Sequence, residues 1–257
     1  MRAVVFDRHG SADVLRIADL ETPIPAAGQV RVRVRAAGIQ PFDTAVRRGT
    51  MPVPVAFPQQ LGNEFAGTVD ELGPGVAGPW SIGTPVLGWA HMASLAECVV
   101  ADSEAITVKP ADMPWDAAGT LGASGQTALT ALHDLGIRSG ETLLVHAAAG
   151  GAGTMAVQIA RAYGARVLGT ASARNHDYLR SLGATPLVYG PGLADRVRAA
   201  APDGVDAVVD AVGGRAMHDS LGLVADRDRI GTLVDHDAAA RLGLQGIRAR
   251  RSVRNLE

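Results

Sequence analysis

The sequence predicts an α/β chain in two parts, a barrel-like β region over residues 1–122 followed by a doubly wound parallel sheet over residues 123–257. Three observations predict it. Apolar residues of the first part recur with the period-two spacing of half-buried strands. Gly and Pro turns cut that part into short pieces. From about residue 112 strand and helix patterns alternate, which in one sheet requires parallel strands covered on both faces.

The elements follow in order. Arg2–Phe6 is a short apolar strand. Residues 30–35 read V-R-V-R-V-R, a strict alternation. Segments 65–72, 84–88, 95–100 and 105–109 are further short strands, set apart by Gly73-Pro74-Gly75, Gly78-Pro79, Gly83 and Pro85. The span 112–121 opens as a helix with Pro114 near its start. Residues 124–135 are apolar at helical spacing and stop at Gly136. Then strands at 142–147, 166–170, 187–189, 205–211, 229–234 and 246–251 alternate with helices at 152–163, 175–182, 193–201 and 215–223. Six such strands make up a complete dinucleotide-binding sheet.

Composition narrows the function classes. The chain has 257 residues, 47% of them hydrophobic and 19% charged, which excludes a disordered chain. A net charge of −2 offers no basic field for nucleic acid. No apolar run reaches the roughly 18 residues of a membrane span. The start, MRAVVFDRHG, has no secretory apolar core, so a cytoplasmic protein is expected. Cys98 is the only cysteine, which excludes an internal disulfide and a four-cysteine zinc lobe.

The chemistry concentrates at Leu143-Leu144-Val145-His146-Ala147-Ala148-Ala149-Gly150-Gly151-Ala152-Gly153-Thr154. Ala148, Gly150 and Gly153 occupy the glycine places of G-x-G-x-x-G, between a strand and a helix, the context that gives the pattern meaning. Gly150 lets backbone approach a pyrophosphate, and Gly153 lets helix pack on strand. Ala148 departs from the pattern. An ordinary tight turn in a nucleotide-free protein is the competing reading. The next strand ends without the carboxylate that would hold a free ribose 2′-hydroxyl; Ser172, Ala173 and Arg174 follow it. A hydroxyl and a guanidinium suit a 2′-phosphate, which points to NADP(H) over NAD(H). Tyr189 ends the third strand and is read either as reaching the adenosine phosphate or as covering the sheet edge, and Arg174 taken alone is equally read as a solvated surface arginine.

Several stretches together resemble one family. They are Ala36–Asp43 (AAGIQPFD), Leu61–Gly67 (LGNEFAG), Gly73-Pro74-Gly75-Val76, Thr127-Ala128, the 148–153 turn, Gly169–Ser172 (GTAS) and Asp210–Gly214 (DAVGG). The chain resembles the medium-chain dehydrogenases/reductases, in the zinc-free quinone oxidoreductase (zeta-crystallin-like) branch. The resemblance implies a GroES-like catalytic domain, then a Rossmann domain, with an active site in the cleft between them. It implies NADPH as hydride donor to a quinone or an activated C=C. It places Gln40 and Thr127 near the nicotinamide, Ser172, Arg174 and Tyr189 at the 2′-phosphate, and Val212 and Gly213 along the cofactor. It also implies a homodimer formed through residues 246–251.

Three departures from the family stand out. Gln40 replaces the usual Asn. Gly62-Asn63-Glu64 stands where zinc-dependent relatives carry Gly-His-Glu, and with Cys98 inside a strand no set of about three zinc ligands is seen. Relatives also continue for several tens of residues beyond residue 251, and their tail returns to the catalytic domain. The expectation here is therefore a shortened chain whose β domain has an open edge for a partner to cover.

Charge developing on a substrate carbonyl calls for a donor and in some cases a placed acid. The first part has no tyrosine. The candidates are Gln40, Asp43, Asn63 and His91, with Gln40 as the orienting donor. Asp43 is equally read as a turn cap, Asn63 as a loop holder and His91 as an exposed loop residue. Met51, Phe57, Trp89 and Met92 are read as a cleft-facing apolar set or as core. Cys98 is read as an inert buried thiol. Two other functions are weighed: a non-redox enzyme such as a cyclase, and a non-catalytic NADPH-binding protein.

Overall fold

The computed structural model describes residues 1–256. The chain divides into two compact units, residues 1–123 with the segment that begins at Arg251, and residues 124–250. The sequence expectation placed that last segment in the second unit. It belongs with the first because Leu256 packs against the buried Ala66, Leu87 and Ala118.

The first unit runs β1 (Arg2–Phe6), β2 (Leu15–Asp19), β3 (Gln29–Ala37), α1 (Pro41–Arg48), β4 (Gln59–Gln60), β5 (Glu64–Leu72), β6 (Pro85–Trp89), β7 (Cys98–Asp102), β8 (Ile106–Val108) and α2 (Trp115–Ala118). Its antiparallel sheets have the orders β2-β1-β4 and β7-β3-β5-β6-β8. The alternation in β3 explains the packing. Val30 and Val32 turn into a core with Phe65, Val69, Val86, Val99 and Ile106. Arg31 turns outward to Asp70 at 2.8 Å and Glu71 at 2.5 Å.

Sequence pattern missed three elements here, β2, β4 and α1; the two residues of β4 form a strand only by pairing with β1. β2 buries only Ala18, so it has no apolar period to read; its backbone pairing with β1 forms it. α1 spans eight residues with Pro41 at its start and Gly49 as a left-handed stop. The seventh strand also starts later than expected, at Cys98. Residues 95–97 bond instead to the β1 backbone, through Val4 N–H to Leu95 O and Glu97 N–H to Arg2 O.

The second unit runs α3 (Gln126–Asp134), β9 (Thr142–His146), α4 (Gly151–Ala162), β10 (Arg166–Ala171), α5 (His176–Ser181), β11 (Thr185–Val188), α6 (Leu193–Ala200), β12 (Ala207–Asp210), α7 (Arg215–Ser220), β13 (Ile230–Thr232), α8 (His236–Leu242) and β14 (Gln245–Gly246). The six strands are parallel in the order β11-β10-β9-β12-β13-β14. Counted from β9 this is 3-2-1-4-5-6, the doubly wound order of dinucleotide-binding sheets. Neighbouring residues along β9 serve opposite faces. Leu143 and Val145 join the core with α3 and α4, and Leu144 the core with α6 and α7.

The last strand is far shorter than residues 246–251. Beyond Ile247 the backbone leaves the sheet, and Arg250 N–H donates to Thr130 Oγ1 at 3.2 Å. Helix α8 was also missed; it is capped by Asp235, whose carboxyl accepts from Ala238 N–H at 3.1 Å. Its buried residues are alanines, which give a weak apolar period. Among the described residues no helix is long and apolar enough to cross a membrane.

Candidate functional site

The glycine pattern forms a tight crossing between β9 and α4. Ala147 turns the chain with a φ of +53°. Its N–H donates to Thr170 Oγ1 at 3.2 Å, and its carbonyl accepts from Gly150 N–H at 2.9 Å. Gly150 precedes the first turn of α4 and accepts from Thr154 N–H at 2.7 Å. The helix then passes so close to the turn that a Cβ on Gly153 would overlap Ala147 O and lie 2.8 Å from Ala148 Cα.

Ala148, at the first glycine place, is accommodated from the neighbouring strand. A Cβ on Gly169 would lie 2.8 Å from the Ala148 Cβ, so the alanine takes space that Gly169 leaves. Gly169→Ala is therefore expected to cost about 1–3 kcal/mol by overpacking. Adding Ala148→Gly is expected to recover most of it. Thermal unfolding of the four chains checks this, and additive losses would refute the shared space.

A cavity of about 500 Å³ opens at the carboxyl ends of β9, β10 and β12. In a doubly wound sheet this is the ligand-binding edge. Of the residues named from sequence, Ala149, Gly150, Ser172, Tyr189, Val212 and Gly213 line it. Ala148, Gly151, Ala152, Gly153 and Thr154 are outside the lining, in the turn and the start of α4. Thr127 lies on α3, also outside it. Arg174 is exposed, two residues beyond the lining residue Ser172, and forms no hydrogen bond or ion pair among the described residues.

Among the lining residues to which sequence reasoning gave no role are His146, Asn175, Arg215 and Asp219. Arg215 Nε lies 3.4 Å from the Asp219 carboxyl one turn on. The Gly213-Gly214-Arg215 run after β12 was the signal that could have found Arg215.

Two buried groups shape the cavity wall. Asp210, at the end of β12, accepts from Val212 N–H at 3.0 Å, Gly213 N–H at 2.9 Å and the Thr232 hydroxyl at 2.7 Å. This fixes the loop that carries Val212 and Gly213. His146 lies between Thr170 Oγ1 at 3.2 Å from Nδ1 and Ser220 Oγ at 2.9 Å from Nε2. Burial pushes its pKa below the usual histidine value.

The first unit gathers three of its four candidates. Gln40 is the residue before α1, and its N–H donates to Asp43 Oδ2 at 2.7 Å. Asp43 Oδ1 accepts from Gly62 N–H at 2.9 Å and Asn63 Nδ2 at 3.2 Å. Asn63 Oδ1 accepts from Met92 N–H at 3.3 Å. Asp43 and Asn63 thus hold the backbone around Gln40. His91 is exposed, with its ring 6.2 Å from that of Phe42. A cavity of about 510 Å³ is bordered by Gln40, Thr44, Arg48 and Thr50.

The apolar set divides. Met51 and Met92 pack into a core with Phe6, Val46 and Leu61. Phe57 stacks edge-on against Phe6 at 5.6 Å, and Trp89 ends β6 half-buried. Cys98 is buried, and burial raises its thiol pKa. Among the described residues no group of three His, Cys, Asp or Glu side chains is placed to hold a metal ion.

Comparison with known proteins agrees with this arrangement. The profile of the alcohol dehydrogenase GroES-like domain matches residues 26–137, and that of the zinc-binding dehydrogenase domain matches residues 151–234. NorB, a protein of the spectinabilin polyketide synthase system of Streptomyces orinoci, is 40% identical over 220 residues, which cover 84% of this chain and 10% of NorB. The quinone oxidoreductase of Rattus norvegicus is 31% identical over 231 residues, covering 87% of this chain and 70% of that one. The solved quinone oxidoreductase of Coxiella burnetii superposes with a TM-score of 0.86 at 31% identity, over 100% of this chain and 85% of that one. A mycobacterial protein solved in complex with NADPH superposes with a TM-score of 0.82 at 31% identity, over 91% of this chain and 73% of that one. With this fold and these relatives, the chain belongs to the medium-chain dehydrogenase/reductase superfamily, among its quinone oxidoreductase-like members.

Proposed function

We propose that the chain is an NADPH-dependent reductase acting on a quinone or on a C=C bond conjugated to a carbonyl. The observation that carries this reading is the second-unit cavity, which joins the Gly150–Gly153 crossing to Ser172 and Asn175 with no carboxylate at the end of β10. The cavity fits a dinucleotide. The glycine at 153 brings the first turn of α4 close to β9, and free amides at a helix start suit a pyrophosphate. Ser172, Arg174 and Tyr189 would hold the 2′-phosphate end, with Arg215 as a further cation in the wall. The mycobacterial relative bound to NADPH supports the choice of nucleotide.

Bound NADPH would supply a hydride, and solvent the matching proton. In this reading the chain's own residues bind and orient. Gln40 donates to the substrate oxygen on which negative charge builds. Asp43 and Asn63 keep Gln40 in place. With no tyrosine in the first 122 residues, the product proton comes through water. The likeness to a polyketide synthase system protein favours a second reading of the same chemistry, with an unsaturated acyl chain as substrate.

Calorimetric titration with NADPH and NADH tests the assignment. NADPH is expected to bind at least about tenfold more tightly, a difference of about 1.4 kcal/mol. Loss of NADPH absorbance with quinones, enones or enoyl thioesters then identifies the acceptor. Binding without turnover would favour the non-redox alternatives, and no binding of either nucleotide would overturn the reading.

A further inference from the structure

Apart from the second-unit cavity, the first unit buries a carboxyl group to which the sequence reading gave no site role. Glu64 opens β5 and is fully buried. A carboxylate removed from water needs donors. Gln40 Nε2 donates to its Oε1, and Ala123 N–H donates to its Oε2 at 2.7 Å. The space for the group comes from Gly38, where any Cβ would collide with the carboxylate. Asp43 meanwhile holds the backbone N–H of Gln40. Gln40 is therefore fixed at both ends, backbone by Asp43 and side chain by Glu64.

A carboxylate accepts hydrogen bonds and donates none. It accordingly selects one of the two orientations of the Gln40 amide, with Nε2 facing Glu64. One Nε2 hydrogen is used there. The other, and Oε1, keep fixed directions at the border of the first-unit cavity. We propose that Glu64 is a positioning residue, which sets the orientation of the Gln40 amide and so presets the donor offered to the substrate oxygen. This inference rests on the reductase reading for its catalytic consequence, though not for its geometry.

Glu64→Gln is the discriminating variant. Its amide oxygen still accepts from Ala123 N–H, so volume and that bond are kept. Its NH2 then faces Gln40, which must turn its own oxygen inward. The fold and the NADPH affinity are expected to be retained. The kcat is expected to fall on the order of tenfold to a hundredfold, with KM little changed. In a Gln40→Ala background the same change is expected to have no further effect on kcat. An unchanged kcat, or an equal fall in both backgrounds, would overturn the proposal.

A second readout is independent of turnover. The Gln40 side-chain amide protons, assigned by their loss in Gln40→Ala, are expected to include one NMR signal shifted downfield by the carboxylate. That shift is expected to disappear in Glu64→Gln. A chain that turns over no quinone or enone but shows this change would sink the reductase reading and keep the positioning role. Identical amide signals in the two chains would sink the positioning role whatever the activity.

Discussion

Asp210→Ala is expected to destabilise the second unit by about 3 kcal/mol and to weaken NADPH binding with it. The buried carboxyl accepts from two backbone N–H groups and one hydroxyl, at 2.7–3.0 Å. Alanine leaves the Val212 and Gly213 amides and the Thr232 hydroxyl without that acceptor. An abandoned buried donor costs about 1–3 kcal/mol. The Val212 side of the loop is 59% exposed, so water relieves part of the loss, and the low end applies to each of the three. Asp210→Asn keeps one acceptor oxygen and turns an NH2 toward a donor, so it is expected to fall between the two. The units are separable by probe. Trp80, Trp89 and Trp115, all the tryptophans of the chain, lie in the first unit. Hydrogen exchange over β12 and β13 should rise in Asp210→Ala while the tryptophan signal of the first unit holds. An unfolding free energy from urea titration unchanged to within about 0.5 kcal/mol would show that the loop does not depend on this carboxyl.

Legibility in the sequence followed the strength of the local signal. The alternating 30–35 run and the strand-turn-helix at 142–163 were readable because period and punctuation agree in them. β2, α1 and α8 were not. The first is formed by pairing with β1, and the other two are short helices, of eight and seven residues, with few large apolar side chains. Within the site, the 148–153 turn was readable because the close approach at Gly153 demands glycine. Asp210 was visible only as part of a family motif. Arg215 stayed hidden, and Glu64 was visible only within the Leu61–Gly67 family stretch with no role attached, because their importance comes from what the fold puts beside them. Glu64 bonds to Gln40 and to Ala123, far from it in the sequence on either side, and only the folded β5 brings these together.

The second large effect is a loss of stability on acidification that depends on one histidine. The hydrogen bonds around His146 have a single consistent direction. Ser220 Oγ donates to Ala216 O at 2.7 Å, so it accepts from His146 Nε2–H. Thr170 Oγ1 accepts from Ala147 N–H and gives its hydrogen to Nδ1. The ring is therefore neutral, with its proton on Nε2. Protonating Nδ1 would place a second donor against Thr170 and turn the threonine hydrogen away from its partner. Burial is the larger influence and lowers the pKa; the Asp210 and Asp219 charges act against it. The unfolded chain takes up a proton near pH 6.5, while the folded chain does so only at lower pH. Between those two values the unfolded state binds more protons, so stability falls as pH falls, by up to about 1.4 kcal/mol per pH unit. Above about pH 6.5 the term is silent. His146→Gln still presents an acceptor to Thr170 and a donor to Ser220 but cannot titrate. Urea midpoints between pH 7.5 and pH 5.5 should converge for the two chains at the acid end, and equal slopes would exclude His146 as the source. Because Ser220 belongs to α7, whose Arg215, Ala216 and Asp219 border the cavity, NADPH affinity should show the same difference in pH dependence between the two chains.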